Sequence, residues 1–286
     1  MSAMLNPWLI LGPSGMIIIG ICAILFWRRK GKVNGTGEGK IPFRFFVLGG
    51  ILWTAAIIPK LVMDYAITQP LYLWWFSSVG PLGGLILLGI YVGLRTGVFE
   101  CGAAYLGFRV MEKREISGGG SAGSPGIGYN EAIAVGVGFG ASEAIVLGLP
   151  SLLQMVAIFL NPSVLSGLSP DQLAIIESQL SQPTWAAVAA VWERAFVILV
   201  HVFATALAYA AVVQRRLLLL GYAIAYKSAL DAPIPLLQAA LAGSAYYIVI
   251  TEAFVAIMGL IGLLGILNMD RIASTSANDN SSSQQL

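Results

Sequence analysis

Long apolar stretches separated by short polar ones dominate this chain. If glycines and isolated polar residues are tolerated, seven stretches reach the roughly 20 residues a helix needs to cross a hydrocarbon core. They fall near 8–27, 45–67, 80–108, 129–149, 186–213, 217–237 and 244–267. The pattern predicts an all-α fold, a polytopic membrane helical bundle of about seven transmembrane helices. Residues 1–272 would form a single transmembrane domain, and the polar stretch 273–286 a disordered cytoplasmic tail. The Gly- and Ser-rich SGGGSAGSPG, 117–126, reads as a flexible connection and not as a domain boundary. After the fourth stretch, Ser169-Pro170-Asp171-Gln172 has the signature of a helix start, with Ser as N-cap, Pro at the first position and Gln completing a capping box. The LAIIESQL that follows should lie along the outer interface or cap the bundle.

Composition agrees with this architecture. Apolar residues make up 57% of the chain and charged ones only 10%, with a mean hydropathy of +0.82. A soluble globular chain carries about 25% charged residues, so that class is excluded. Lys and Arg concentrate in cytoplasmic loops of membrane proteins. Here 12 of 16 lie between stretches one and two, after stretch three, between five and six, or in the tail. The intervening loops have none. This distribution predicts the N-terminus outside and the C-terminus inside, in the plasma membrane of a prokaryote. Arg28, Arg29 and Lys30 follow the first apolar stretch instead of preceding it, which is the reverse of a secretory signal. That stretch is therefore expected to remain as a span. Cys22 and Cys101 are too far apart in sequence for a disulfide framework or a metal-type spacing to be read.

The remaining four cations, Lys60, Arg95, Arg194 and Lys227, lie inside predicted spans, together with the acids Asp64, Glu100, Glu143, Glu193, Asp231 and Glu252. Ionisable groups in hydrocarbon are costly, and by default they mark a functional or paired site facing the protein interior. Lys60 with Asp64, and Lys227 with Asp231, are spaced i, i+4 and would reach each other on one helix face. Small residues recur every four positions at Ala132, Gly136, Gly140, Ala144 and Gly148, and again at Gly89, Gly93 and Gly97. Such stripes mark faces where helix backbones approach. Glu143 and Glu100 each follow a stripe glycine by three positions, so both should point into a helix seam. In WERAFVILVH, 192–201, Arg194 is about 10 Å along the axis from His201, the chain's single histidine. A carboxylate partner for His201 must then come from another helix, with Glu143 or Glu100 at the right depth.

Several chemistries are excluded. There is no HExxH, and one histidine rules out a zinc site of several imidazoles. SxxK and a phosphate-binding loop lysine are absent, and nucleic-acid binding has no support. Water activation by carboxylates and one imidazole remains.

Three segments, GVFECGAAYLGFRVMEKR (97–114), GVGFGASEAIVLG (136–148) and WERAFVILVHVFATALAYAAV (192–212), together resemble the YhfC family of intramembrane peptidases. That family is loosely grouped with the glutamate- and histidine-based CAAX-processing membrane peptidases. The resemblance spans stretches three to six and is strongest in the Glu-Arg followed by His. It implies that Glu100, Glu143, Glu193, Arg194 and His201 line a site where water is activated to cut a peptide bond. The chain also departs from the pattern. Cys101, Ala104 and Tyr105 stand where a second acid and an Arg are expected, Ala141 or Ser142 where a His is expected, and Tyr226 or Lys227 where a His would precede Asp231. Glu143, His201 and Asp231, with Glu193 nearby, are left as ligands for one divalent metal ion, and such oxygen-rich ligation favours metals harder than zinc.

The leading expectation is a membrane-embedded peptidase, metal-dependent or degenerate, with Glu143 as general base, His201 orienting or donating a proton and Arg194 stabilising the oxyanion. Its partners would be membrane lipids and a membrane-protein or peptide substrate. A proton- or ion-coupled transporter and a non-catalytic membrane scaffold are the alternatives.

Overall fold

The computed structural model describes residues 6–30, 40–117, 127–244 and 246–269. The Gly/Ser connection at 118–126 and the tail lie outside the described residues. After a single 3-10 turn, the helices are α1 (Leu11–Lys30), α2 (Phe43–Met63), α3 (Gln69–Ser117), α4 (Tyr129–Leu160), α5 (Pro170–Leu180), α6 (Trp185–Val213), α7 (Leu217–Asp231), α8 (Ile234–Ala240) and α9 (Tyr247–Leu267). A π-helical turn, Asp64–Thr68, joins α2 to α3. Each apolar stretch picked out from the sequence is helical over most of its described length, and no strand occurs among the described residues. The protein is a helical membrane bundle.

Six helical stretches among the described residues are long and apolar enough to cross a bilayer, where the sequence predicts about seven. The difference lies in Phe43–Lys113, a run of 71 residues that takes in two of the predicted spans. This run folds back on itself at Gly80, whose φ of +79° and ψ of 174° lie in a region that glycine alone enters without strain. Pro81 follows and restarts the helix. Residues pair across the two arms in antiparallel order, with Leu52 against Gly107, Lys60 against Glu100, Asp64 against Arg95 and Trp75 against Tyr91. The stretch 217–237, predicted as one span, falls within Leu217–Ala240, one of the six, where a turn separates α7 from α8. Pro233 and Pro235 explain the break, because proline lacks the N–H an internal turn needs and clashes with the preceding carbonyl.

Small residues set the packing as their spacing predicts. Residues 131–141 of α4 are buried without interruption because other helices enclose them on all sides. A methyl group on Gly136 would lie 2.7 Å from Val202 Cα of α6, and one on Gly140 would lie 2.9 Å from Ile198 Cα. Gly138 meets the backbone of Phe46 in α2, where its methyl would be 2.6 Å from Cα. In α3, a methyl on Gly93 would lie 2.6 Å from the Ser228 carbonyl oxygen of α7. Each of these seams needs hydrogen at that position. They draw α3, α4, α6 and α7 together at the depth where the charged residues lie. On the α4–α6 side, α5 begins at Ser169, which accepts from the Gln172 amide while the Gln172 side chain accepts from the Ser169 amide, the expected capping box.

Candidate active site

Five helices contribute to one line of charged groups: Lys60 from α2, Glu100 from α3, Glu143 from α4, Glu193, Arg194 and His201 from α6, and Lys227 from α7. At one end, the buried Lys60 ammonium pairs with Glu100. Lys227 Nζ stands 3.1 Å from the other Glu100 oxygen, Oε2, and 3.2 Å from His201 Nε2. His201 Nε2 lies 2.8 Å from Glu143 Oε2, and its Nδ1 3.8 Å from Glu100 Oε2. Arg194 Nη1 donates to Glu143 Oε1 at 2.6 Å, and its Nη2 pairs with Glu193. The Trp53 indole N–H adds a third donor to Glu143, 3.1 Å from Oε2. The Phe139 ring lies against the imidazole, with ring centroids 4.9 Å apart.

These contacts favour one tautomer of the imidazole. Glu143 receives hydrogen bonds from Arg194 and Trp53, as an ionised carboxylate does. The short contact at Nε2 then has its proton on the nitrogen, donated to Glu143. Lys227 Nζ lies within hydrogen-bond distance of the same Nε2 and forms an ion pair with Glu100. In a neutral ring the lone pair is then on Nδ1, on the Glu100 side.

The i, i+4 pairs suggested by the sequence do not form. Lys60 pairs with Glu100 and not with Asp64, Asp64 pairs with Arg95, and Lys227 turns to Glu100 and away from Asp231. A pair along one helix gains only about 0.2–0.5 kcal/mol. A buried ammonium needs a carboxylate directly opposite it, and the hairpin register and the α3–α7 seam supply one. Of the residues singled out from the sequence, the structure joins Glu100, Glu143, Glu193, Arg194 and His201 in one network. Asp231 forms no ion pair within 4 Å among the described residues. It interacts with the Thr96 hydroxyl and with the charges of Lys227, Glu100 and Lys60, and it lines a cavity of about 610 Å³ that also touches Trp53, Glu100, Glu143, Arg194 and Lys227.

Sequence reasoning missed Trp53, Lys60 and Lys227 as parts of the site. For Trp53, the available signal was that a buried indole N–H must find an acceptor. For Lys60, it was the cation's presence in a span, which the i, i+4 pair seemed to explain.

Across residues 15–255, most of the chain, the sequence matches the model of the YhfC intramembrane metalloprotease family. The chain belongs to that family. No curated protein and no solved structure matches it. The family's description implies a metal, and the YhfC site in this chain does not fit one. Among the described residues, no three His, Cys, Asp or Glu side chains gather closely enough to hold an ion. The expected ligand set of Glu143, His201 and Asp231 therefore does not assemble. Glu143 and His201 touch, but Nε2 is engaged with Glu143 and flanked by an ammonium.

Proposed function

We propose that this integral, multi-pass membrane protein is an intramembrane peptidase that hydrolyses a peptide bond of a membrane-embedded substrate with its own carboxylate and imidazole. One observation carries this reading. A carboxylate held by three donors from two neighbouring helices, Glu143, lies on the wall of a cavity of about 610 Å³ within an apolar bundle. The cavity is large enough for an unwound peptide segment, and membership of the family supports the reaction class.

In this scheme Glu143 takes a proton from water as the water oxygen attacks the carbonyl carbon of the scissile bond. The carbonyl oxygen becomes an oxyanion, and Arg194, oriented by Glu193, stabilises it. The proton on Glu143 then passes to the amide nitrogen, while His201 holds the carboxyl group in place across the 2.8 Å contact. The C–N bond breaks and leaves a carboxyl group and an amine. Glu100 holds the far side of the imidazole and thereby positions His201.

The same reading places the protein in the plasma membrane of a prokaryote, N-terminus outside, on the strength of its Lys and Arg distribution. Membrane lipids would surround it, and a membrane protein or peptide would be its substrate.

The test is cleavage of single-span peptides by the purified protein in liposomes. Glu143→Gln is expected to lower the rate by about 10²–10⁴-fold, the range of a lost general base, with the helical content unchanged. Cleavage at the wild-type rate would remove Glu143 from this role. A proton-coupled carrier is the second reading, and the unbroken line of alternating charges from Lys60 to Glu193 favours it. Proton uptake into liposomes that Glu143→Gln abolishes, without any peptide cleavage, would establish it.

A further inference from the structure

We propose that Lys227 is the resident cation of this site: its ammonium occupies the place a metal ion would need between His201 and Glu100, and the site works without metal. The proposal takes the site's task from the peptidase reading and its geometry from the structure alone.

Distance is the first argument. Metal ligands sit about 2.0–2.2 Å from a divalent ion such as zinc. The only imidazole in the chain has Lys227 Nζ 3.2 Å from Nε2, and the same Nζ is 3.1 Å from Glu100 Oε2. An ion bound to both atoms would have to lie in the gap the ammonium fills. The Lys227 side chain is only 4% exposed and is held there by its ion pair with Glu100. The second argument is charge. Lys60 and Lys227 both face Glu100, and Lys227 also faces His201, so an ion added between them would stand against two buried ammonium groups. Third, Nε2 is already engaged by Glu143 at 2.8 Å and by Lys227 at 3.2 Å, which leaves no room for an ion on that side of the ring.

A fixed ammonium supplies part of what a metal would. It places a positive charge beside the reacting centre and keeps Glu100 ionised, but it does not hold water as a ligand. Activation of water then falls to Glu143 and His201. Lys227 is thus a positioning residue that also carries the site's charge.

Elemental mass spectrometry of the full-length protein, purified from cells grown with added zinc and then desalted, tests this directly. The wild type is expected to carry no near-stoichiometric transition metal, and Lys227→His to bind zinc at least roughly 100-fold more tightly, because a unit charge about 4 Å from the ion is exchanged for a ligand. Titration with Co²⁺, read by its visible absorption, measures the same difference independently of activity. Near-stoichiometric metal in the wild type would overturn the proposal. So would a folded Lys227→His that binds no more metal than the wild type. If that variant does not fold, the wild type decides alone: a thermal midpoint unmoved by EDTA or added zinc supports the proposal, and one that EDTA lowers refutes it. A failed search for peptidase activity would sink the functional reading and leave this measurement intact.

Discussion

The bundle has two ends that differ in what their helices present to each other. At one end, residues 131–141 of α4 lie against α2 and α6 with glycine backbone touching backbone, and the core is apolar. At the other, the same helices separate around the 610 Å³ cavity, and side chains of both signs face it. Glu143 and His201 lie at the boundary. The closed end supplies rigidity, since Phe139, almost fully buried there, is the ring that stacks on His201. The open end supplies space. Chemistry at a fixed geometry needs both, because a site that admits a peptide cannot be held in place by packing within the cavity itself.

The largest expected effect is at the closed end. Gly138→Leu would drive a side chain into the backbone of Phe46, and the folded bundle should be lost. Size-exclusion chromatography in detergent should give aggregate, and a monodisperse wild-type peak would mean that the α2–α4 contact is dispensable. At the boundary, Arg194→Met leaves two carboxylates without their buried cation, at a cost of about 3–5 kcal/mol. Adding Glu143→Gln should recover part of that loss in denaturant unfolding. Simple additivity of the two would show that the Arg194–Glu143 pair contributes no coupling. The smallest effect is outside both ends. Ser169→Ala removes the N-cap of α5 and should cost about 1 kcal/mol, seen as faster hydrogen exchange in the first turn of α5 while peptide cleavage is unchanged. Slower cleavage would tie α5 to the site.

What the sequence revealed and what it concealed divide along physical lines. Features set by neighbouring residues were legible. The capping box at Ser169 needs only four positions, and the small-residue stripes announce close seams because backbone approach requires a missing side chain. The partner of His201 was legible too, since depth along the helix axis excludes Glu193 and leaves Glu143 or Glu100. Features that depend on the register between helices were not. Lys60 meets Glu100 because the hairpin turns at Gly80, and nothing in the spacing of Lys60 and Asp64 reveals that turn. Residues 69–79 were read as lying between spans, yet they continue the first arm of the hairpin as helix. Lys227 lies beside His201 only because the α3–α7 seam draws that face of α7 inward.

The single histidine also makes the site observable. A chain grown with ¹⁵N in its imidazoles holds one labelled ring, and that ring is the one between Glu100, Glu143 and Lys227. Its two nitrogen resonances need no assignment by mutation. They report the tautomer at the centre of the bundle directly, in lipid and in the presence of any peptide that enters the cavity.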